Sequence, residues 1–349
     1  MRTSPSLIQV SHRRFDPART AALAVLAAAL AGGLALAGCG GGPGNGVTPS
    51  GAAPAAVGRV SNDTAGPTYD GCPVFRAKDS AYNKNISGAP LDPQSTQYIA
   101  SLGTNSSWNN DQVEYLNAAT ASTPVLPVIS KVKWHSMPPE PWASSFIIEN
   151  LGDAHSFVID TSACHIYELY STTYANGQLS AYSGGDWNLK KKFVPYPPGV
   201  NSAVASGLSR FAGSVKYPEL ASGNVSHALF LLVPYNMLAQ WSFVRPASDT
   251  DQIPYKGPGP VEMPYGAKLR LRADYPESNL GSQALIVVHA LKTYGALVGD
   301  TACCYGFVYM HDLATPDAFD FSDLNKLNAI KPADWQVIKL PQILQVPGH

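Results

Sequence analysis

Short runs of β-branched and aromatic residues recur along the chain from about residue 69 onward, separated by clusters of Gly, Pro, Asn and Ser. Runs of this kind with such boundaries are typical of β-strands. The two clearest runs, 156–160 and 165–170, flank a short polar segment that predicts a hairpin turn. The other predicted strands are 144–148, 228–233, 268–273 and 305–310.

Helical spacing is confined to a few segments. Segment 95–102 follows Asp92 and Pro93 and ends at a glycine, which are the expected start and stop signals of a helix. Segment 282–294 also ends at a glycine, and a third, short helix is predicted at 322–327. The apolar residues of the second helix fall on one stripe that would cover a sheet; they are Leu285, Val288 and Leu291.

These elements predict a mainly β fold, namely an antiparallel, jelly-roll-like β-sandwich with two or three peripheral helices. Neither a second Pro/Gly-rich linker nor an internal repeat interrupts residues 69–349. A single domain is therefore predicted for this part of the chain.

The N-terminus carries a targeting signal. Three arginines, Arg13, Arg14 and Arg19, precede an Ala/Leu-rich run of 17 residues at 21–37. A spanning helix needs about 20 apolar residues, so the run suits a signal peptide better. The sequence that ends at Cys39 resembles the lipobox of bacterial lipoproteins, which implies cleavage before Cys39 and its lipidation. The alternative is an ordinary secretory signal followed by an unrelated cysteine.

Three parts of the chain follow from this signal. Residues 1–38 are predicted to be a lipoprotein signal peptide, and residues 39–68 a flexible Gly/Pro/Ala-rich tether. Residues 69–349 are predicted to be the folded domain. Several acyl chains would anchor the protein stably to a membrane without spanning it. The expected location is the extracytoplasmic face of a membrane in the cell envelope.

The amino-acid composition and the net charge exclude some classes of partner. Charged residues make up 14% of the chain, against about 25% in an ordinary soluble domain. The formal net charge is −1, but removal of residues 1–38 takes away four arginines and one aspartate and leaves 20 basic and 24 acidic residues. A mildly acidic domain is not drawn to nucleic acid or to acidic lipids, so neither is expected as a partner.

Four cysteines remain after Cys39, and an even number in an exported protein favours disulfides. Three pairings are possible. We predict the pair Cys72 and Cys164, because Cys303 or Cys304 would otherwise need a distant partner. The adjacent pair Cys303 and Cys304 is then a free pair, a strained disulfide, or a redox or metal site. A buried structural pair is the simplest interpretation.

Several blocks of sequence resemble an uncharacterised group of secreted, β-rich proteins from soil bacteria. The resemblance implies export and a single domain, and the group has no assigned activity. Two positions depart from its pattern: Ala154 and Phe230 stand where arginines occur, so a site built on those arginines would be altered here. The blocks are Cys72–Phe75, Asp153–His155 through Asp160 to Cys164, Ser226–Leu229 and Ala290–Gly295.

Polar residues on the predicted strands are the candidates for chemistry. His155, Glu168 and His227 would act as acid, base or ligand-orienting groups if they converged on one cleft. The alternative is that all three are hydrogen-bonded core residues. Asp186 lies in a Gly-rich segment beside Trp187, where a carboxylate and a ring would meet a sugar unless the segment is a turn with a packing tryptophan. Asp300 has no predicted role.

The sequence lacks the motifs that are typical of many classes of enzyme. The sequence contains no Gly-x-Ser-x-Gly, no His-Glu-x-x-His, no P-loop and no dinucleotide fingerprint, so no cofactor or metal is expected. Asp160 is predicted to cap the hairpin turn. Cys164 and His165 would point to opposite faces of a strand, which disfavours a thiol nucleophile.

Two functions remain. The first is binding or processing of a carbohydrate polymer, supported by export, low charge, 17 Tyr and 6 Trp, with the paired carboxylates Glu168 and Asp186 as catalytic candidates. The second is a non-catalytic envelope scaffold that docks another protein. The position of His155, Glu168 and His227, in one pocket or in separate environments, distinguishes the two.

Overall fold

The computed structural model describes residues 67–75, 80–104, 107–109, 113–133, 135–150, 152–313 and 318–349. The predicted signal peptide, Cys39 and nearly all of the predicted tether lie outside the described residues. Within them, no helix is both long enough and apolar enough to cross a bilayer.

Short strands make up most of the regular structure, as the sequence pattern predicts. Strands β7 and β8 begin and end where they were predicted. The strands are β1 Thr68–Tyr69, β2 Cys72–Pro73, β3 Val113–Ala119, β4 Val125–Leu126, β5 Val128–Ser130, β6 Glu140–Pro141, β7 Ser156–Asp160, β8 His165–Tyr170, β9 Thr173–Ala175, β10 Gln178–Ala181, β11 Ser183–Asn188, β12 Val215–Lys216, β13 Leu229–Pro234, β14 Leu238–Val244, β15 Met263–Tyr265, β16 Lys268–Leu271, β17 Ala296–Ala302, β18 Gly306–Phe307, β19 Tyr309–Asp312, β20 Trp335–Val337 and β21 Ile343–Gln345.

The helices are short, and the fold is mainly β, as predicted. The helices are α1 Ser95–Ser101, α2 Arg210–Gly213, α3 Tyr217–Ala221, α4 Ser282–Thr293 and α5 Phe321–Leu324, with 3₁₀ turns at Asn325–Ala329 and Pro332–Asp334. Helices α1, α4 and α5 lie where helices were predicted. The short helices α2 and α3 were not predicted, and every residue of α2 is buried.

Two larger sheets dominate the fold, and their pairing is mixed. In the six-stranded sheet the order is β11-β8-β7-β3-β19-β12. Strands β11, β8 and β7 pair antiparallel, whereas β7, β3, β19 and β12 pair parallel. In the five-stranded sheet, β18-β13-β17-β16-β20, the central pair β13 and β17 is parallel. The prediction of purely antiparallel pairing is therefore wrong.

A shared apolar cluster connects these sheets. It combines Leu116 of β3, Phe157 of β7 and Ile166 of β8 with Phe230 of β13 and Leu297 of β17. Helix α2 contributes to the same cluster. On the opposite face of the five-stranded sheet, apolar residues of α1 and α4 pack in a second cluster. Burial of these apolar faces is the main source of stability.

The hairpin and the disulfide agree with the sequence. The Asp160 Oδ1 atom accepts hydrogen bonds from the backbone N–H groups of Ser162 and Ala163, at 2.9 and 3.1 Å, so Asp160 caps the turn between β7 and β8. Cys72 and Cys164 form a disulfide. The bond connects the first described segment to the end of this turn.

Segment 144–148 was predicted to be a strand, and this prediction is wrong. The Asn117 side chain donates to the Ile147 carbonyl at 3.0 Å and accepts from the Ile147 N–H group at 2.8 Å. A side chain thus takes the backbone hydrogen bonds that a neighbouring strand would otherwise make.

Candidate functional site

A cavity of about 720 Å³ is lined mostly by polar residues. We call it the acidic cavity, because four of the residues that line it are aspartates; they are Asp153, Asp249, Asp251 and Asp300. Three tyrosines also line it, namely Tyr170, Tyr182 and Tyr235, together with His155, Asn201 and Thr301. A cavity of this volume is large enough for a ligand of several rings.

Two of the aspartates lie on the loop that follows β14. The backbone of this loop is tied to its surroundings, since Ser248 donates to the Ser206 carbonyl at 2.8 Å and Thr250 Oγ1 donates to the Gln240 carbonyl at 2.6 Å. Gly207 has a φ of 71°, and a Cβ there would collide with the Ser248 hydroxyl. These contacts fix the position of Asp249 and Asp251 on one wall of the acidic cavity.

Asp300 is placed by an irregularity in β17. The register between β13 and β17 shifts after the pair Leu231 and Val298, so that Leu232 lies opposite Asp300 and Gly299 is an extra residue. This is a β-bulge, a feature that redirects a side chain. A Cβ at Gly299 would meet the Phe230 ring, so only glycine fits the bulge without displacing that ring.

Thr301 joins two of the carboxylates. Its backbone N–H group donates to Asp300 Oδ1 at 2.9 Å, and its hydroxyl donates to Asp251 Oδ2. Burial raises the pKa of Asp300 well above the usual value for aspartate, and the nearby Asp251 carboxylate raises it further. Burial also raises the pKa of Asp251, against the hydrogen bond from Thr301. The pair therefore holds protons to higher pH than free aspartates do.

Two acceptor oxygens in the acidic cavity lack a donor. Asp249 is 4% exposed, and its Oδ1 atom is buried with no hydrogen-bond partner among the described residues. The Oδ1 atom of Asn201 is in the same situation. Buried polar atoms are nearly always paired in folded proteins, so these two acceptors are exceptions among the residues that line the acidic cavity.

Aromatic rings form the rim of the acidic cavity. Tyr182 is 40% exposed and Tyr235 is 51% exposed, which leaves much of each ring available to a ligand. Tyr170 lies behind Tyr182 in an edge-to-face contact with a centroid distance of 6.0 Å. The rim thus combines flat apolar surfaces with the polar floor.

Comparisons of this chain with protein-family profiles, curated proteins and solved structures found no match. What the acidic cavity can do therefore follows from its own residues. A protonated carboxyl group donates a hydrogen bond, and an ionised one accepts. Asp300 and Asp251, bridged by Thr301, are thus suited to bind hydroxyl groups and to exchange a proton with a ligand.

His155 is the one predicted site residue that lines the acidic cavity. Its Nδ1 atom lies 3.0 Å from Glu149 Oε2, and its Nε2 atom lies 3.1 Å from the Ala203 carbonyl oxygen. The hydrogen bond from His155 to Glu149 lowers the pKa of that carboxyl group overall, although burial acts in the opposite direction. Both ring nitrogens contact acceptors within the protein, so His155 is part of the cavity wall and is not a free acid or base.

A buried cation lies directly behind His155. The Arg210 Nη1 atom is 2.5 Å from Glu114 Oε1 and 3.2 Å from His155 Nδ1. Burial raises the pKa of Glu114, and Arg210 opposes that rise. Ligand atoms of Glu114, Glu149 and His155 lie within 4.8 Å of one another, a set that could hold a metal ion. Here the guanidinium contacts two of the three residues and supplies the positive charge.

Glu168 does not face the acidic cavity. It is fully buried, and its carboxylate accepts from the Ser209 hydroxyl at 2.6 Å, from the Arg210 N–H group at 2.9 Å and from the Phe211 N–H group at 3.2 Å. Burial raises the pKa of Glu168 from the usual 4.5 to about 7, against these hydrogen bonds. Glu168 thus holds the start of α2 in place.

This shift predicts a pH dependence of stability. The folded protein binds a proton at Glu168 up to about pH 7, whereas the unfolded chain releases it near pH 4.5. Stability from this group is therefore complete below pH 4.5 and is lost as the pH rises to 7, by about 3 kcal/mol. In urea unfolding, the free energy of unfolding of the wild type should fall by about that amount relative to that of Glu168→Gln as the pH rises from 4.5 to 7. Parallel curves would contradict the shifted pKa.

The remaining predicted residues lie in other environments. His227 is fully buried, with Nε2 3.0 Å from Glu219 Oε1 and Nδ1 3.0 Å from the Ala228 carbonyl oxygen. Asp186 pairs with His165 at 2.7 Å on a partly exposed surface. His155, Glu168 and His227 thus do not meet in one cleft, and the alternative of hydrogen-bonded core residues describes Glu168 and His227.

The predicted pairing of Glu168 with Asp186 also fails on geometry. Glu168 lies opposite Gly185 across β8 and β11, and Asp186 lies opposite Tyr167. Since neighbouring positions along a strand point to opposite faces, the two carboxylates lie on different sides of the sheet. The Gly-rich segment is strand β11 rather than a turn, and Trp187 is buried.

No site was predicted from the sequence for the carboxylates that line the acidic cavity. Asp249 and Asp251 form an Asp-x-Asp pair in a polar stretch of a sparsely charged chain, which is a usable signal. Asp300 gives no such signal, because its position depends on the bulge at Gly299.

Proposed function

We propose that this protein binds a carbohydrate in the acidic cavity, on a domain that a lipid at Cys39 anchors to the extracytoplasmic face of a membrane. The proposal also takes the two larger sheets to form a β-sandwich around their shared apolar cluster. The observation that carries the proposed ligand is the combination of polar lining residues, four of them aspartates, with the exposed rings of Tyr182 and Tyr235. Carboxyl and amide groups form hydrogen bonds with sugar hydroxyl groups.

The rim supports the same ligand class. Sugar rings present apolar C–H faces between their hydroxyl groups, and exposed aromatic rings are the surfaces against which those faces pack. Tyr182 and Tyr235 offer such surfaces at the mouth of the acidic cavity. Apolar contact at the rim and hydroxyl recognition at the floor suit a chain of several sugar units better than a small ion.

The charge of the acidic cavity narrows the class further. Four aspartates line it, and like charges close together are costly in a partly buried site. We therefore expect neutral sugars or sugars that carry an amino group to bind, and sugars that carry carboxylates or sulfates to be rejected. Among cleavage reactions, glycosidic hydrolysis fits best, with Asp300 as the proton donor and Asp251 as the carboxylate partner.

Substitution of Asp249 tests this proposal. The purified protein is screened against neutral, amino-bearing and acidic oligosaccharides, and the ligands that bind are titrated by calorimetry. Asp249→Ala should weaken binding about tenfold or more, because a hydrogen bond to a charged group contributes about 1.5–3 kcal/mol. Asp274→Asn, at an exposed aspartate outside the acidic cavity, is the control and should bind normally.

Two further arms complete the test. Release of reducing ends, lost in Asp300→Asn while binding persists, would identify hydrolysis. Fatty-acid labelling that disappears in Cys39→Ala checks the anchor. Failure of every neutral and amino-bearing sugar to bind would reject the carbohydrate proposal and favour the envelope scaffold that docks another protein.

A further inference from the structure

Cys303 and Cys304 are the free cysteines of the described residues. Neighbouring residues of an extended strand point to opposite faces, which would keep two thiols apart. Residues 303–304 instead form a bend directly after β17, and the two Sγ atoms lie 2.8 Å from each other. The backbone thus already holds both sulfurs on the same side.

The bend is anchored at both ends. On one side, the Ala302 carbonyl accepts from the Tyr235 N–H group at 2.9 Å. On the other, the Tyr305 N–H group donates to the Ser107 carbonyl at 2.8 Å, and the Tyr305 ring is buried. Cys303 is exposed and Cys304 is partly exposed, so both sulfurs can be reached from solvent.

The hydrogen bonds distinguish the two sulfurs. Cys303 donates its S–H group to Cys304 Sγ, and the Ser107 hydroxyl donates to the same atom at 3.5 Å. Two donors directed at Cys304 Sγ make it the acceptor of the pair. The hydrogen bond to Cys304 raises the pKa of Cys303, with burial adding to the rise, so Cys303 keeps its proton.

We propose that Cys303 and Cys304 form a thiol–disulfide exchange site, with Cys304 as the attacking sulfur, Cys303 as the resolving sulfur and a disulfide as the substrate. In the first step the Cys304 thiolate attacks one sulfur of the substrate. The substrate S–S bond breaks, a mixed disulfide forms at Cys304, and the departing thiolate takes a proton from water.

In the second step Cys303 loses its proton to water and attacks Cys304 Sγ. The mixed disulfide breaks, the second substrate thiolate leaves and is protonated, and a disulfide between the adjacent residues closes. The two cysteines are oxidised by two electrons in total, and the substrate disulfide is reduced to two thiols. A small strained ring of this kind is readily reduced again, which suits a reversible site.

The test uses the full chain, first reduced under conditions that leave Cys72–Cys164 intact. Oxidised glutathione and disulfide-bonded insulin are the two probes, and they distinguish a small-molecule source of the disulfide from a protein source. Alkylation followed by mass spectrometry reads the state of the peptide that contains Cys303 and Cys304. We expect at least one probe to produce the disulfide within one chain, and dithiothreitol to reverse it.

Single variants identify the attacking sulfur. Cys303→Ser should accumulate the mixed disulfide at Cys304, whereas Cys304→Ser should react at least about tenfold more slowly, because the raised pKa of Cys303 keeps its thiol protonated. Ser107→Ala should slow the reaction of the otherwise intact protein. The proposal is overturned if both thiols stay separately alkylatable with both probes, if only intermolecular disulfides form, or if the two cysteine variants react at equal rates.

Discussion

Replacement of Arg210 by methionine should lower the free energy of unfolding by about 3–5 kcal/mol, the usual cost of leaving a buried charge without its partner. Arg210 is 3% exposed and lies 2.5 Å from Glu114, itself fully buried. Methionine preserves much of the side-chain volume, so the loss reports mainly the missing positive charge. Urea unfolding at pH 7 measures it.

Two variants separate this effect from a general defect in folding. Arg272→Ala removes an exposed arginine that pairs with Asp274 and should leave stability nearly unchanged. The double variant Arg210→Met, Glu114→Gln should recover part of the loss, because the buried carboxylate is then neutral. A loss below about 1 kcal/mol for Arg210→Met would contradict the role assigned to this cluster.

Removal of the disulfide is the second large effect expected. Cys72 and Cys164 are 92 positions apart in sequence, and closing a loop of that length stabilises a protein by about 4–5 kcal/mol in the chain-entropy description. The double variant Cys72→Ala, Cys164→Ala should lose about that much free energy of unfolding. The segment before α1 should also become more sensitive to protease, because the disulfide no longer helps to hold Val74 and Phe75 in the core beside Cys72.

A matched pair of cysteines provides the control. The double variant Cys303→Ser, Cys304→Ser should change stability by less than about 0.5 kcal/mol, as is usual for surface positions. Equal stability of the Cys72/Cys164 variant and the wild type would show that the covalent connection contributes little to the folded state.

The pattern of residues along the chain predicts those parts of this fold whose hydrogen bonds join residues close together in sequence. Strands β7 and β8 and the Asp160 turn between them form one hairpin, so their residues determine their own partners. The end of α4 at Gly295 is similarly local, whereas its start is held by Asp323, whose carboxylate accepts from the N–H groups of Gly281 and Ala284. The parallel pairing of β13 with β17 cannot be predicted locally, because about sixty residues separate the two strands along the chain.

The sequence misleads where a distant partner overrides local preference. Ser183–Asn188 contains two glycines and looks like a turn, yet it is strand β11, where a Cβ at Gly184 would collide with Leu169 of β8. Close approach of β8 therefore explains that glycine. The same reason applies to Gly299, whose bulge brings Asp300 to the acidic cavity.

Candidate chemistry is harder to predict than strands for a related reason. His155 and Glu168 have hydrogen-bond partners far away in sequence, whereas His227 contacts Glu219 only eight positions away. All three are hydrogen-bonded within the protein, and the four aspartates of the acidic cavity come instead from three separate stretches of chain. The meeting of these aspartates in one cavity depends on the three-dimensional fold.

The most direct test of the carbohydrate proposal is hydrogen–deuterium exchange of the protein with and without a saturating oligosaccharide from the binding screen. If the acidic cavity is the site, amides at 249–252 and 299–301 should exchange more slowly with ligand present, and Asp249→Ala should abolish the difference. Protection confined to other parts of the chain, with these two segments unchanged, would contradict the proposed site.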